Sequence, residues 1–152
     1  MGDSHQGEVG AAGGSMSPFI PAGSRLRIER VPVGEIRRGD VVCFIGGGPI
    51  GVAHRVVRIE RAAQAVVLYA RGDAQRGEER VPGEAVIAVV RRVEHRLFAY
   101  DTDGAAGRAI ARVALGEDLP ARGVKAACVG AWRALCLARR IAGVLSGAAP
   151  RR

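Results

Sequence analysis

Lysine is nearly missing from this chain. Of its 23 basic residues all but Lys125 are arginine, so chemistry that needs an amine base has one candidate. Aromatic side chains are scarce as well: one Trp, two Tyr and three Phe make up 4% of the sequence. Proteins that hold single-stranded or looped nucleic acid stack bases on such rings. A formal net charge of +8 therefore carries no expectation of nucleic acid as a partner; it favours acidic partners or an anionic membrane surface. Cysteine is limited to Cys43, Cys128 and Cys136, an odd number with no CxxC pair. A helix carrying the last two would set them about 12 Å apart along its axis, too far for a disulfide. This implies a reducing compartment and no cysteine-bound metal. Long apolar runs are lacking too. The charge-free stretches Val9 to Ser24 and Val41 to Ala53 are broken by Gly and Pro and fall short of the ~20 apolar residues a spanning helix needs. The opening MGDSHQGE is acidic and polar, unlike a secretory signal. These features read as a cytoplasmic or membrane-associated chain.

What is present is an ordinary globular balance. The chain has 152 residues, 48% hydrophobic and 25% charged, which suits one domain with a real core. Residues 1–9 are small and polar and are expected to be a flexible N-terminal segment. Residues 10–93 read as a β-domain. RLRIERV alternates apolar and charged positions, VVCFI is a short apolar run, and VAHRVVRIER, AVVLYAR and VIAVVRRV continue the pattern. Gly, Pro and Asp clusters separate these runs: Gly34, Gly39-Asp40, Gly46 to Pro49, Gly72-Asp73 and Pro82-Gly83.

Residues 94–152 read as a helical extension. AAGRAIARVAL predicts a helix over 105–115, after a turn at Asp101 to Gly104, and a longer helix is expected over 121–146. On that longer helix Arg122, Lys125, Arg133, Arg139 and Arg140 share about a third of the circumference. A basic face of this kind suits either solvent or an anionic membrane surface.

Two short patterns carry little. Gly46 to Gly51 spells GxGxxG, but Pro49 lies inside it and strand-like text follows where a dinucleotide site needs a helix; a hairpin loop is expected. The DTDG at 101–104 lacks the remaining ligands of a calcium loop and reads as a turn. Asp40 reads as a structural turn aspartate, and His5 and His95 as surface residues.

Four further patterns stand in one order: Gly14-Ser15-Met16-Ser17-Pro18, then RRGDVVCF (37–44), AHRVVRI (53–59) and YARGDAQ (69–75). Ser15 and His54 are 39 residues apart, His54 and Asp73 nineteen. In sequence and spacing these boxes resemble the signal peptidase I family, and within it the archaeal, endoplasmic-reticulum and sporulation-type branch that carries histidine in place of a lysine base. The resemblance covers about residues 10–93. It implies a mainly β (α+β) signal-peptidase/LexA-like fold of coiled antiparallel sheets with C-terminal helices. It also implies a serine endopeptidase that cleaves signal-like or leader polypeptides after small residues, with Ser15 as nucleophile, His54 as base and Asp73 as the acid behind it. The branch tends to carry a second acidic residue a few positions after the Gly-Asp box, where Glu78 and Glu79 stand, which makes Glu79 a candidate auxiliary acid. No cofactor or metal is implied.

The chemistry is coherent by itself. A serine hydroxyl needs a base within hydrogen-bond reach. Imidazole can take its proton and return it to the leaving amine, and a carboxylate on the far ring nitrogen fixes the tautomer. Some family members add a hydroxyl to the oxyanion hole from the residue two before the serine. That residue here is Gly13, leaving the main chain at Ser15. Members usually have a spanning helix just before the serine box; here the basic 121–146 helix is a candidate peripheral anchor, the other reading being a helix packed on the β-domain with its charges in solvent. Two alternatives have different chemistry. One is an inactive relative that acts as a basic binding module for a membrane surface or acidic partner. The other is a self-cleaving LexA-type regulator, against which the position of Lys125 counts.

Overall fold

A computed structural model describes residues 6–46, 51–63 and 65–116, with Gly130 and Ala134. The described chain is mainly β, one curled antiparallel sheet with a helix after it. The strands are β1 (Gln6–Gly10), β2 (Arg25–Glu29), β3 (Val41–Ile45), β4 (Gly51–Ala62), β5 (Ala65–Arg71), β6 (Glu79–Pro82), β7 (Val86–His95) and β8 (Phe98–Asp101). They pair in the order β1-β2-β7-β3-β4-β5-β6, with β8 against β7. The helix α1 spans Ala105–Leu115, as its sequence predicts. The longer helix expected over 121–146, and with it Lys125, Cys128 and Cys136, lies outside the described residues.

The sheet is bulged between Arg27 and Ile28, Cys43 and Phe44, and Val56 and Arg58, which adds to its twist, and it carries a core on each face. Adjacent strand residues point to opposite sides, and Val41 and Val42 illustrate this. Val41 packs with Met16, Phe19, Ile20 and Tyr100 in one cluster, while Val42 packs with Phe44, Val56 and Leu68 in another. Val89 and Val90 on β7 divide between the clusters in the same way. A strand covered on both faces has no polar side, which is why β3 reads as the run VVCFI.

Two boundaries differ from the sequence reading. Gln6 to Val9, expected to be part of a flexible lead-in, form β1 with Gly10 and pair with Arg25–Glu29 on β2. Gly and Gln have little strand propensity, so the pairing comes from β2, helped by Gly7 lying against Ile28. Residues 94–101, expected to open the helical extension, complete β7 and form β8. His95, read as a surface residue, is half-buried against the Phe98 ring, with centroids 5.2 Å apart.

α1 closes one core through Ile110 and Ala114. Its first turn folds so closely onto the turn that leads into it that a Cβ at Gly107 would lie 2.2 Å from the Thr102 carbonyl. It ends at Gly116, whose φ of 76° is left-handed and whose N–H bonds back to the last turn. The Gly46 to Gly51 motif falls between β3 and β4, which pair antiparallel from Ile45↔Gly51 onward. A strand follows the glycines, as the hairpin reading requires.

Candidate active site

Ser15 leaves β1 by a short glycine-rich passage and enters a turn in which Ser17 N–H donates to Gly14 O and Ile20 N–H to Met16 O. Buried Met16, Phe19 and Ile20 anchor the residues after it, and the Tyr100 hydroxyl donates to Phe19 O. On the other side, Ala11 is held to Ser24 and Gly23 by main-chain bonds of 2.8 and 2.7 Å. Ser15 is thus fixed from both directions. Gly13 and Gly14 between these anchors are exposed and face open space.

His54 stands on β4 opposite Val42, 7% exposed, with the Phe44 ring edge-on at 6.0 Å between centroids. Its Nε2 is 3.2 Å from Ser15 Oγ. Burial lowers its pKa below the ordinary imidazole value, with Glu79 and then Asp73 partly offsetting that effect. The ring is therefore neutral at neutral pH. In the tautomer that accepts from Ser15 Oγ–H, the proton sits on Nδ1. That atom is buried and without a hydrogen-bond partner, and its nearest carboxylate oxygen is Glu79 Oε2 at 3.7 Å.

Asp73 does not occupy that position. Arg55 Nε donates to Asp73 Oδ1 and Arg55 Nη2 to Oδ2, both at 2.8 Å, and Arg55 Nη1 donates to Gly39 O at 2.8 Å. Both side chains of this pair are at most 4% exposed. Burial opposes the Arg55 charge, but the Asp73 hydrogen bonds and charge outweigh it and hold the guanidinium above its ordinary pKa.

The strand pleat explains the exchange of partners. His54 and Arg55 are consecutive, so they leave β4 on opposite faces. His54 shares its face with Val52 and Val56, which pack in the Phe44 cluster. Glu79 is two residues before Val81 of that same cluster, and so comes to the imidazole's side. Asp73 meets Arg55 on the other side. The expectation of an Asp73–imidazole bond is corrected accordingly, and Glu79 is the carboxylate beside the ring.

Ser15 O accepts from Ala74 N–H at 2.8 Å, and among the described residues nothing accepts from Ser15 N–H. Asp40 is a turn aspartate: its carboxylate accepts from Arg37 N–H at 2.8 Å, and burial raises its pKa against that bond. Arg55, which the sequence boxes do not single out, could have been found from the pleat. A basic residue one step from a core-facing histidine must point into the opposite core and needs an acid there. Gly46, read from the sequence only as part of a hairpin loop, lies beside Glu79, since a Cβ on it would be 3.5 Å from Glu79 Oε1.

No family model, no curated protein and no solved structure matches the chain.

Proposed function

We propose that this chain is a serine endopeptidase of the signal-peptidase type, with the signal-peptidase/LexA-like fold, that cleaves leader or signal-like polypeptides after small residues. The observation that carries the reading is the 3.2 Å approach of Ser15 Oγ to Nε2 of a buried His54, from boxes 39 residues apart in the order that the family resemblance implies. Ser15 Oγ attacks the scissile carbonyl while His54 Nε2 takes its proton. The carbonyl oxygen becomes an oxyanion that the Ser15 N–H, without an acceptor among the described residues, can receive. A main-chain donor of this kind typically contributes about 3–4 kcal/mol to the transition state. The imidazolium then gives its proton to the leaving amine as the C–N bond breaks, leaving an acyl-serine. Water, deprotonated by His54, attacks that ester, and the proton returns to Ser15 Oγ as the acid product departs. Glu79 sits where a carboxylate stabilises the imidazolium of each half-reaction. It takes the role first given to Asp73.

Small residues at Gly13 and Gly14 leave room for a substrate main chain beside the nucleophile. Among the described residues no helix is long and apolar enough to cross a membrane; attachment to an anionic surface through residues 121–146 is part of the proposal. The test is cleavage of peptides with Ala at the −3 and −1 positions. Wild type is expected to cut after the −1 residue, and Ser15→Ala and His54→Ala to lose at least about 10⁴-fold in kcat. Equal inertness of all three proteins across several such peptides would reject catalysis and leave the basic binding module.

A further inference from the structure

We propose that one face of β4, β5 and β6 is a docking surface for an acidic, extended segment of the polypeptide substrate. This deepens the peptidase reading and rests on it. The substrate class becomes leader or signal-like chains that carry Asp or Glu at alternate positions beside the cleavage site.

Register assembles the face. Leu68, Ala70 and Val81 point into the Phe44 cluster, so Tyr69, Arg71 and Arg80, which alternate with them, leave on the other side. Tyr69 stands opposite Arg58 on β4 and opposite Arg80 on β6. Neighbouring strands lie about 4.8 Å apart, so the row Arg58–Tyr69–Arg80 is about 10 Å wide. Arg71 follows two residues along β5, about 7 Å from that row.

The charges on this face do not cancel. Arg58 lies 3.5 Å from the centre of the Tyr69 ring and pairs with Glu60, whose carboxylate also accepts from the Tyr69 hydroxyl at 3.0 Å. Arg71 and Arg80, and Arg76 in the loop between β5 and β6, have no carboxylate partner among the described residues. Arg76 and Arg80 are exposed and Arg71 is half-buried. The face also reaches the nucleophile: the turn between Arg71 and Arg76 donates Ala74 N–H to Ser15 O at 2.8 Å. A substrate main chain over Ser15 therefore passes beside these arginines.

The geometry selects the occupant. A guanidinium takes a carboxylate by two parallel hydrogen bonds. Side chains on one side of an extended chain recur about every 7 Å, which is the spacing from Arg71 to the row of Arg80. Nucleic acid needs open rings for stacking, whereas Tyr69 is the only Phe, Tyr or Trp on these strands and Arg58 covers one side of it. A membrane surface needs apolar side chains to insert. The exposed large apolar residues, Val9, Ile45 and Ile87, lie on β1, β3 and β7.

The test uses the full chain with Ser15→Ala and a fluorescent peptide with Ala at −3 and −1 and Glu at alternate flanking positions. Anisotropy is expected to show binding that weakens at least about threefold between about 50 and about 300 mM salt. The same peptide with Gln for Glu is expected to bind at least about tenfold more weakly. Adding Arg71→Gln and Arg80→Gln is expected to weaken binding of the acidic peptide about 5–10-fold. Adding Glu60→Gln is expected to strengthen it about twofold, a gain that damage to the fold would not produce. With Ser15 intact, the acidic peptide is expected to be cut with a lower KM than the Gln peptide, and the two arginine substitutions to remove that difference. Should the double arginine variant fail to fold, the exposed Arg80→Gln decides together with Glu60→Gln. Equal affinity for the two peptides would overturn the proposal. So would arginine variants that bind as their parent does, because basic residues of 121–146 would then account for the binding. Tighter binding to phosphatidylglycerol vesicles or to a single-stranded oligonucleotide, lost in the same variants, would overturn it in favour of a membrane or a nucleic acid. Failure of the peptidase reading looks different: wild type cuts neither peptide, while the anisotropy result still judges the surface.

Discussion

Replacing Glu79 with Gln isolates the carboxylate beside the imidazole. Its Oε2 lies 3.7 Å from His54 Nδ1, and unit charges about 4 Å apart interact by about 1 kcal/mol in water and about 4 kcal/mol at an effective dielectric of about 20. The Glu79 side chain is 44% exposed, so solvent screening places this pair near the lower figure, at about 1–1.5 kcal/mol. This corresponds to roughly one pKa unit. The sign follows from the base's role. Glu79 favours the imidazolium, so its removal lowers the His54 pKa further, and the limb of kcat/KM that marks loss of neutral imidazole moves about one unit toward acid. The imidazolium formed in the transition state loses the same support, and kcat/KM on the plateau falls about 5–10-fold. The fall is larger if the 3.7 Å gap closes to a hydrogen bond when substrate binds. The assay is a pH profile of peptide cleavage, paired with an NMR titration of the His54 ring, from about pH 5 to pH 8. A limb that stays in place or moves toward alkali, with an unchanged plateau, would refute the assignment of Glu79.

Two further outcomes concern the fold. Gly107→Ala places a methyl 2.2 Å from Thr102 O and 2.4 Å from Asp101 O, which forces the start of α1 and the turn before it apart. Urea unfolding should show a loss of about 1–3 kcal/mol, and an unaltered midpoint would contradict the close helix packing. The buried His54 should also make the protein acid-sensitive. Its native pKa lies below the ordinary value, so the unfolded state binds the proton first as pH falls below about 6.5, and stability drops until the native pKa is passed. Urea midpoints on descending through that window should fall more for wild type than for His54→Gln, and the opposite order would show that burial does not dominate at this histidine.

Much of the strand framework is legible without coordinates. Gly, Pro and Asp clusters mark most breaks between β2 and β7, although none separates β4 from β5 and β6 is not among the strands the pattern predicts; Gly104 and Gly116 bracket α1 at the boundaries its sequence predicts. β1 escapes such reading because QGEVG has weak intrinsic preference for a strand and gains its order from β2. The site was legible in part. Ser15 and His54 meet as their boxes suggest, whereas Asp73, expected behind the imidazole, is bound to Arg55, and the candidate auxiliary acid Glu79 is the carboxylate beside the ring. The order of boxes along a chain does not say which face of a strand each side chain leaves from; that information lay in the alternation around His54-Arg55 and Glu79 to Val81.

Composition and local pattern determined that this chain builds strands, where they break, and that its hydroxyl and imidazole have the chemistry to form a nucleophile and its base. Pairing and curl decided the rest: which carboxylate faces the ring, which is locked to arginine, and how a glycine turn comes to seat a serine nearly sixty residues earlier in the chain. Residue type sets what a group can do. A neighbour within about 3–4 Å sets what it does, and only a folded sheet brings groups so far apart in sequence to that distance.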